Sequence, residues 1–198
     1  PPTLVAFAVG IEKAKNIISA EFKKVGSKLV LLMAEKNEDF TLKVNQYKRN
    51  LERLYELILE GKVISASSVK FGGVAETISK MAFGNKIGVE FFNLSKEELF
   101  GLNYGTLVLE VNQEVNINKE FKGCAYKAIG YTTEEETITS KEFDLNLKLN
   151  ILENAYEKNL SKVFKIKTND KNEKVKEVLY KESNNKSPVI KIAKPKVI

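Results

Sequence analysis

The stretch from Val63 to Val89, VISASSVKFGGVAETISKMAFGNKIGV, constrains the fold more than any other part of the chain. Val63 and Ile64 are β-branched and apolar and follow the breaker Gly61, which predicts the start of a buried strand. Gly72 and Gly73 then remove two Cβ atoms where that strand gives way to a helix. Val74, Ala75, Ile78, Met81 and Ala82 recur at helical spacing and give that helix one apolar face. A further strand is expected from Gly88 to Phe92. A glycine pair at a strand–helix junction exposes N–H groups at the positive end of a helix dipole, the arrangement that binds phosphates. The same pair also serves tight packing with no ligand. The residues of the turn leave both readings open.

Around this unit the chain alternates irregularly between extended and helical patterns. Thr3 to Val9 reads as a first strand closed by Gly10, and Lys13 to Phe22 as a short helix or an ordered loop. KLVLLM (28–33) is a continuous apolar run, which implies a strand buried on both faces. Val44, Tyr47, Leu51, Leu54, Tyr55, Ile58 and Leu59 mark an amphipathic helix that Gly61 ends. Ser95 and Glu98 make a capping box for a short helix stopped by Gly101. Thr106–Val111 and Tyr126–Thr132 read as strands, and Thr137–Leu147 is extended in propensity. Leu149, Leu152, Ala155, Tyr156, Leu160, Val163 and Phe164 form the face of a last helix. Interleaving without strict alternation predicts an α/β (α+β) fold, a mixed sheet covered by helices at about 40–60 and 148–164. Residues 1–164 form the expected domain, and 165–198 a solvated linker.

Charge and missing residue types exclude several functions. The net charge is +6, yet residues 1–164 hold equal numbers of basic and acidic side chains. The excess lies in 165–198, where lysines are scattered among Asn and Ser without arginine or interleaved aromatics, which argues against a nucleic-acid surface. No apolar run reaches the roughly 20 residues of a membrane span. The start, PPTLVAFAVG, has no basic flank and no initiator methionine, so it reads as a piece of a longer chain and not as a signal peptide. The single cysteine, Cys124, excludes an intramolecular disulfide and predicts a reducing compartment, the cytoplasm. With no histidine in the chain there is no Ser-His-Asp triad, no imidazole base and no histidine metal site, and nothing to activate Cys124. No catalytic residue and no metal ligand is assigned to this chain.

Taken together, these segments resemble the C-terminal-type domain of the aminoimidazole-ribonucleotide synthetase superfamily, and within it the large, single-chain phosphoribosylformylglycinamidine synthases. The resemblance spans nearly the whole chain. It rests on AFAVG (6–10), EFKKVGSKLVLL (21–32), VKFGGVAETISKMAFGNKIG (69–88), LFGLNYGTLVLEV (99–111), AIGYTTEEETIT (128–139) and LENAYEKNLSKVF (152–164). SPVIKIAKPKVI (187–198) is similar to the linker that leads into the family's glutaminase domain.

The resemblance implies the second C-terminal-type domain, the last on the synthetase side, of an ATP- and glutamine-dependent ligase of purine biosynthesis, which converts formylglycinamide ribonucleotide to its amidine; the piece alone is expected to be inactive. It implies ATP and Mg²⁺ as cofactors of the complete enzyme, with neither expected on this piece alone. The implied partners are the N-terminal-type synthetase domains and the glutaminase of the same parent chain, and a homodimer of the piece is a further expectation. Family members often carry Asp-x-Ser-Asp-Gly-Gly at the glycine turn, the first Asp facing Mg²⁺ and the Ser a nucleotide. Those positions are here Ser68 and Lys70, and Phe71 precedes the glycines. A hydroxyl is a weak Mg²⁺ ligand beside a carboxylate, whereas Lys70 can meet a phosphate as a point charge. Ser68, Lys70, Gly72 and Gly73 are therefore the candidate nucleotide-binding residues. A structural module that docks the glutaminase without binding a ligand is the alternative. A selenophosphate-synthetase or thiamine-phosphate-kinase relative is a third reading, against which the 187–198 segment argues.

Overall fold

The computed structural model describes residues 3–164. The linker expected over 165–198 lies outside the described residues. The strands are β1 (Lys28–Leu32), β2 (Val63–Ser68), β3 (Gly88–Phe91), β4 (Leu107–Val111), β5 (Tyr126–Thr133), β6 (Thr137–Ser140) and β7 (Leu145–Lys148). The helices are α1 (Val44–Leu59), α2 (Gly73–Asn85), α3 (Lys96–Phe100), α4 (Ile117–Glu120) and α5 (Leu149–Lys158). The strands form one sheet in the order β2-β4-β1-β5-β3-β6-β7. Among the described residues only the β3–β6 pair is parallel, so the sheet is mixed, as expected.

Strand β1 is an interior strand, third in that order, and its apolar run divides by parity. Leu29 and Leu31 enter one core layer with Val74, Ile78 and Met81 of α2, while Val30 and Leu32 enter the other with Leu54 and Leu57 of α1. A strand covered on both faces has no polar side to show, which is why its sequence lacks alternation. Helices α2, α3 and α5 cover the first face and α1 the second. Ser95 caps α3 as expected: its hydroxyl accepts the Glu98 N–H, and the Glu98 carboxylate accepts the Ser95 N–H at 2.8 Å.

Three local expectations need correction. Residues 3–9 pair with nothing among the described residues, and Leu4 and Phe7 are at least 90% exposed. Strand propensity is present there, but a ladder needs a neighbour's backbone. The buried face of α1 runs through Asn50, Leu54 and Leu57, leaving Leu51, Tyr55 and Leu59 toward solvent. The rotation comes from Asn50, whose side chain donates to the Met33 carbonyl at 2.9 Å and accepts the Ala125 N–H at 3.1 Å. It thereby joins the end of β1 to the start of β5, a polar role that a search for apolar periodicity passes over. Lastly, α5 ends at Lys158, and Leu160, Val163 and Phe164 lie exposed beyond it.

Candidate functional site

The glycine turn lies between the last residue of β2 and the first of α2, against α3. Val69 is buried and its N–H donates to the Thr106 carbonyl, holding the turn to the strand beside β2. The chain then tightens, and the Gly73 N–H donates to the Lys70 carbonyl at 3.0 Å. Gly73 has φ +72°, and a Cβ there would collide with the backbone carbonyl of Leu99. The second glycine is therefore required by the approach of α2 to α3, with or without a ligand.

The amide groups are not bare. The Gly72 N–H donates to Oε2 of Glu76, 2.8 Å away and one turn into α2. Glu76 Oε1 pairs with Lys80 at 2.5 Å, and the Lys80 ammonium sits 4.9 Å from the centre of the Tyr156 ring. The Lys80 contact first, then the Gly72 N–H, and also the charge of Lys70 hold the Glu76 carboxyl below its usual range. Its partner Lys80 is raised in turn, chiefly by Glu76. The protein thus places its own carboxylate where a phosphate oxygen was expected, satisfying an orphan donor of the helix start.

Ser67, Ser68, Lys70, Glu76, Thr77 and Lys80 together line a small cleft of about 50 Å³. The structure so brings Ser68 and Lys70 to the turn, both side chains solvent-exposed. Glu76 and Lys80 belong to the same cleft and were missed from the sequence. The available signal was an acid in the first turn after the glycines, a common helix-start device. The environment does not fit a magnesium ion. Its carboxylate, Glu76, is already held by an ammonium and an amide, with Lys70 close by. Among the described residues no three His, Cys, Asp or Glu side chains are grouped to hold a metal.

Beside the turn, and sharing Gly72 and Glu76 with it, opens a cleft of about 440 Å³. Its walls come from α2, α3, α5, the end of β3 and the β6–β7 hairpin, with Phe91, Leu99, Ile138, Phe143 and Leu145 among them. Its lining is predominantly apolar. Glu76 and Lys96 are its charged lining residues, and Cys124 lies elsewhere, half-buried, with burial pushing its thiol up. No helix among the described residues is long and apolar enough to cross a membrane.

No family model matches the chain. Its fold is that of solved structures of PurL from Thermotoga maritima. The structure of PurLQS from that organism matches at a TM-score of 0.59 and 12% identity, over 71% of this chain and 28% of that one. PurL complexed with FGAR matches at 0.56 and 11%, over 70% and 30%, and PurL complexed with ATP at 0.55 and 11%, over 70% and 27%. At such identity the likeness is one of fold. The chain spans less than a third of the length of the structures it matches.

Proposed function

We propose that this chain is a C-terminal-type domain of a phosphoribosylformylglycinamidine synthase of the large, single-chain type. The parent enzyme would use ATP, Mg²⁺ and glutamine to make the amidine in the cytoplasm. The observation that carries the reading is the mixed seven-stranded sheet, with its β2–glycine–α2 junction, in a fold shared with PurL over 70% of the chain. The ordered series of family-like segments supports it independently. Turnover then belongs to the assembled enzyme, with the synthetase domains and the glutaminase as covalent partners. The direct test is the parent open reading frame beyond Ile198: a glutaminase is expected, and a chain ending near there would refute the single-chain form. Formylglycinamide ribonucleotide turnover by the 198-residue chain alone would refute its passive role.

Within that enzyme, Ser68, Lys70, Gly72 and Gly73 are proposed to face a nucleotide phosphate, with Lys70 as the cation. A specific observation favours the alternative of a docking module without a ligand: Glu76 already occupies the Gly72 amide. A phosphate at the turn must displace that carboxylate and keep Lys70 and Lys80 as counter-charges. Titrating ADP while following the amide resonances of residues 70–75 separates the two readings. Shifts confined to the turn support nucleotide contact, and their absence at millimolar ligand supports docking alone.

A further inference from the structure

Among the described residues an apolar segment and a sheet edge each lack a strand partner. The segment 3–9, TLVAFAV, is apolar, strand-forming in composition and unpaired among the described residues, with Leu4, Phe7 and Val9 exposed. At the far end of the sheet, β7 pairs only with β6, so its outer edge is open among the described residues. An apolar strand without a ladder and a sheet edge without a neighbour are complementary, because each supplies the hydrogen-bond groups the other lacks.

The side chains match as well. Leu145 and Leu147 of β7 both line the 440 Å³ cleft, whereas Asn146 and Lys148 alternate to the opposite face. A strand laid along this edge sets alternate residues beside each face. Val5, Phe7 and Val9 form the bulkier set and suit the cleft side; Leu4, Ala6 and Ala8 form the smaller set and suit the face of Asn146 and Lys148. We propose that residues 3–9 of one copy add as a strand to the outer edge of β7 in a second copy, with Phe7 at the mouth of the apolar cleft. The inference concerns this chain's own surfaces and stands apart from the synthase reading.

The test uses the complete 198-residue chain in sedimentation or light scattering from micromolar to millimolar concentration. Wild type is expected to associate with rising concentration. Phe7→Asp and Leu147→Lys, both at exposed positions, are each expected to weaken association about tenfold or more, since each removes one large apolar contact. Circular dichroism and melting confirm that both remain folded. Mixing the two variants should restore association, because one keeps an intact edge and the other an intact strand; general stickiness would not behave this way. Hydrogen exchange gives a second readout, with residues 3–9 and 145–148 gaining protection together as concentration rises. A wild-type monomer throughout the range overturns the proposal, as it would if 3–9 or 165–198 covered β7 within the same chain. Variants that associate like wild type overturn it too.

Discussion

Replacing Glu76 tests whether the glycine turn is capped from within. The carboxylate accepts the Gly72 N–H at 2.8 Å and pairs with Lys80 at 2.5 Å at the start of α2. A hydrogen bond to a charged group contributes about 1.5–3 kcal/mol, and an acid in the first helical turn about 0.3–1 kcal/mol. The Glu76 side chain is 31% exposed, so solvent screening reduces the sum. Glu76→Gln is therefore expected to cost about 1–2 kcal/mol at neutral pH, which lowers the melting temperature by about 2–8 °C in a domain of this size. The pH dependence has a definite sign. The folded carboxyl is held below its ordinary value of 4.5, so its stabilisation is present above that pH. It fades as pH falls through the folded value, where the protonated wild type comes to resemble the glutamine variant. A second arm uses Glu76→Ala, which leaves the Gly72 amide vacant. Phosphate, followed by the amide resonances of residues 70–75, should then bind about tenfold or more tightly than to wild type, since it no longer competes with a tethered anion. Equal melting of wild type and Glu76→Gln at neutral pH, or equal phosphate affinity of wild type and Glu76→Ala, would refute the internal-cap argument.

Other substitutions probe the frame around the site. Glu110 of β4 is fully buried and its carboxylate accepts the backbone N–H groups of Lys23 and Lys24 at 2.8 and 3.0 Å. Glu110→Leu orphans both donors at roughly 1–3 kcal/mol each, so the urea midpoint should fall strongly, and less so for Glu110→Gln, which keeps one acceptor. An unchanged midpoint would mean that segment 18–26 is not anchored there. Gly73→Ala should cost more than the ~1–2 kcal/mol of a left-handed non-glycine residue, because its methyl also meets the Leu99 carbonyl. Gly72→Ala, at φ −83°, carries no left-handed strain, but its methyl would lie 2.6 Å from the Glu76 Cβ; it should cost less than Gly73→Ala, and calorimetry that ranks the two the other way would contradict the packing argument. Ser95→Ala removes one arm of the capping box of α3 and should lose about 1 kcal/mol in denaturant titration.

The sequence disclosed the elements whose physics is local or two-sided. KLVLL reads as a buried strand because burial on both faces forbids alternation, LVLEV reads as a strand, and Ser95 with Glu98 marks a helix start by chemistry contained in a few residues. What it concealed were roles assigned by distant partners. Asn50 and Glu110 are polar residues inside apolar elements, and nothing near them in sequence announces Met33, Ala125 or the Lys23 and Lys24 amides. The 137–147 stretch is extended in propensity, as the structure has it, but propensity does not show that it folds back as a hairpin whose turn holds Asp144 at φ +49°. Short α4, begun by an Asn116 side chain that accepts the Lys119 N–H, has too few residues to show a period.

The glycine turn lies between these cases. Its place at the end of β2 was legible, because two adjacent residues without Cβ atoms after a strand have few other uses. Its occupant was not legible, because Gly72, Gly73 and Glu76 suit an external phosphate and an internal carboxylate equally well on paper. The family pattern places acids before the glycines; this chain has Ser68, Lys70 and Phe71 there and carries its acid after them, at Glu76. Moving the negative charge from one side of the glycines to the other turns a place suited to a cation into a helix cap, while Lys70 and Lys80 still favour an anion if Glu76 lets go. Whether the Gly72 amide is open to an outside anion therefore turns on one carboxylate, that of Glu76. The 440 Å³ apolar cleft shares Gly72 and Glu76 with that turn, so the carboxylate that holds the amide also forms part of the cleft wall.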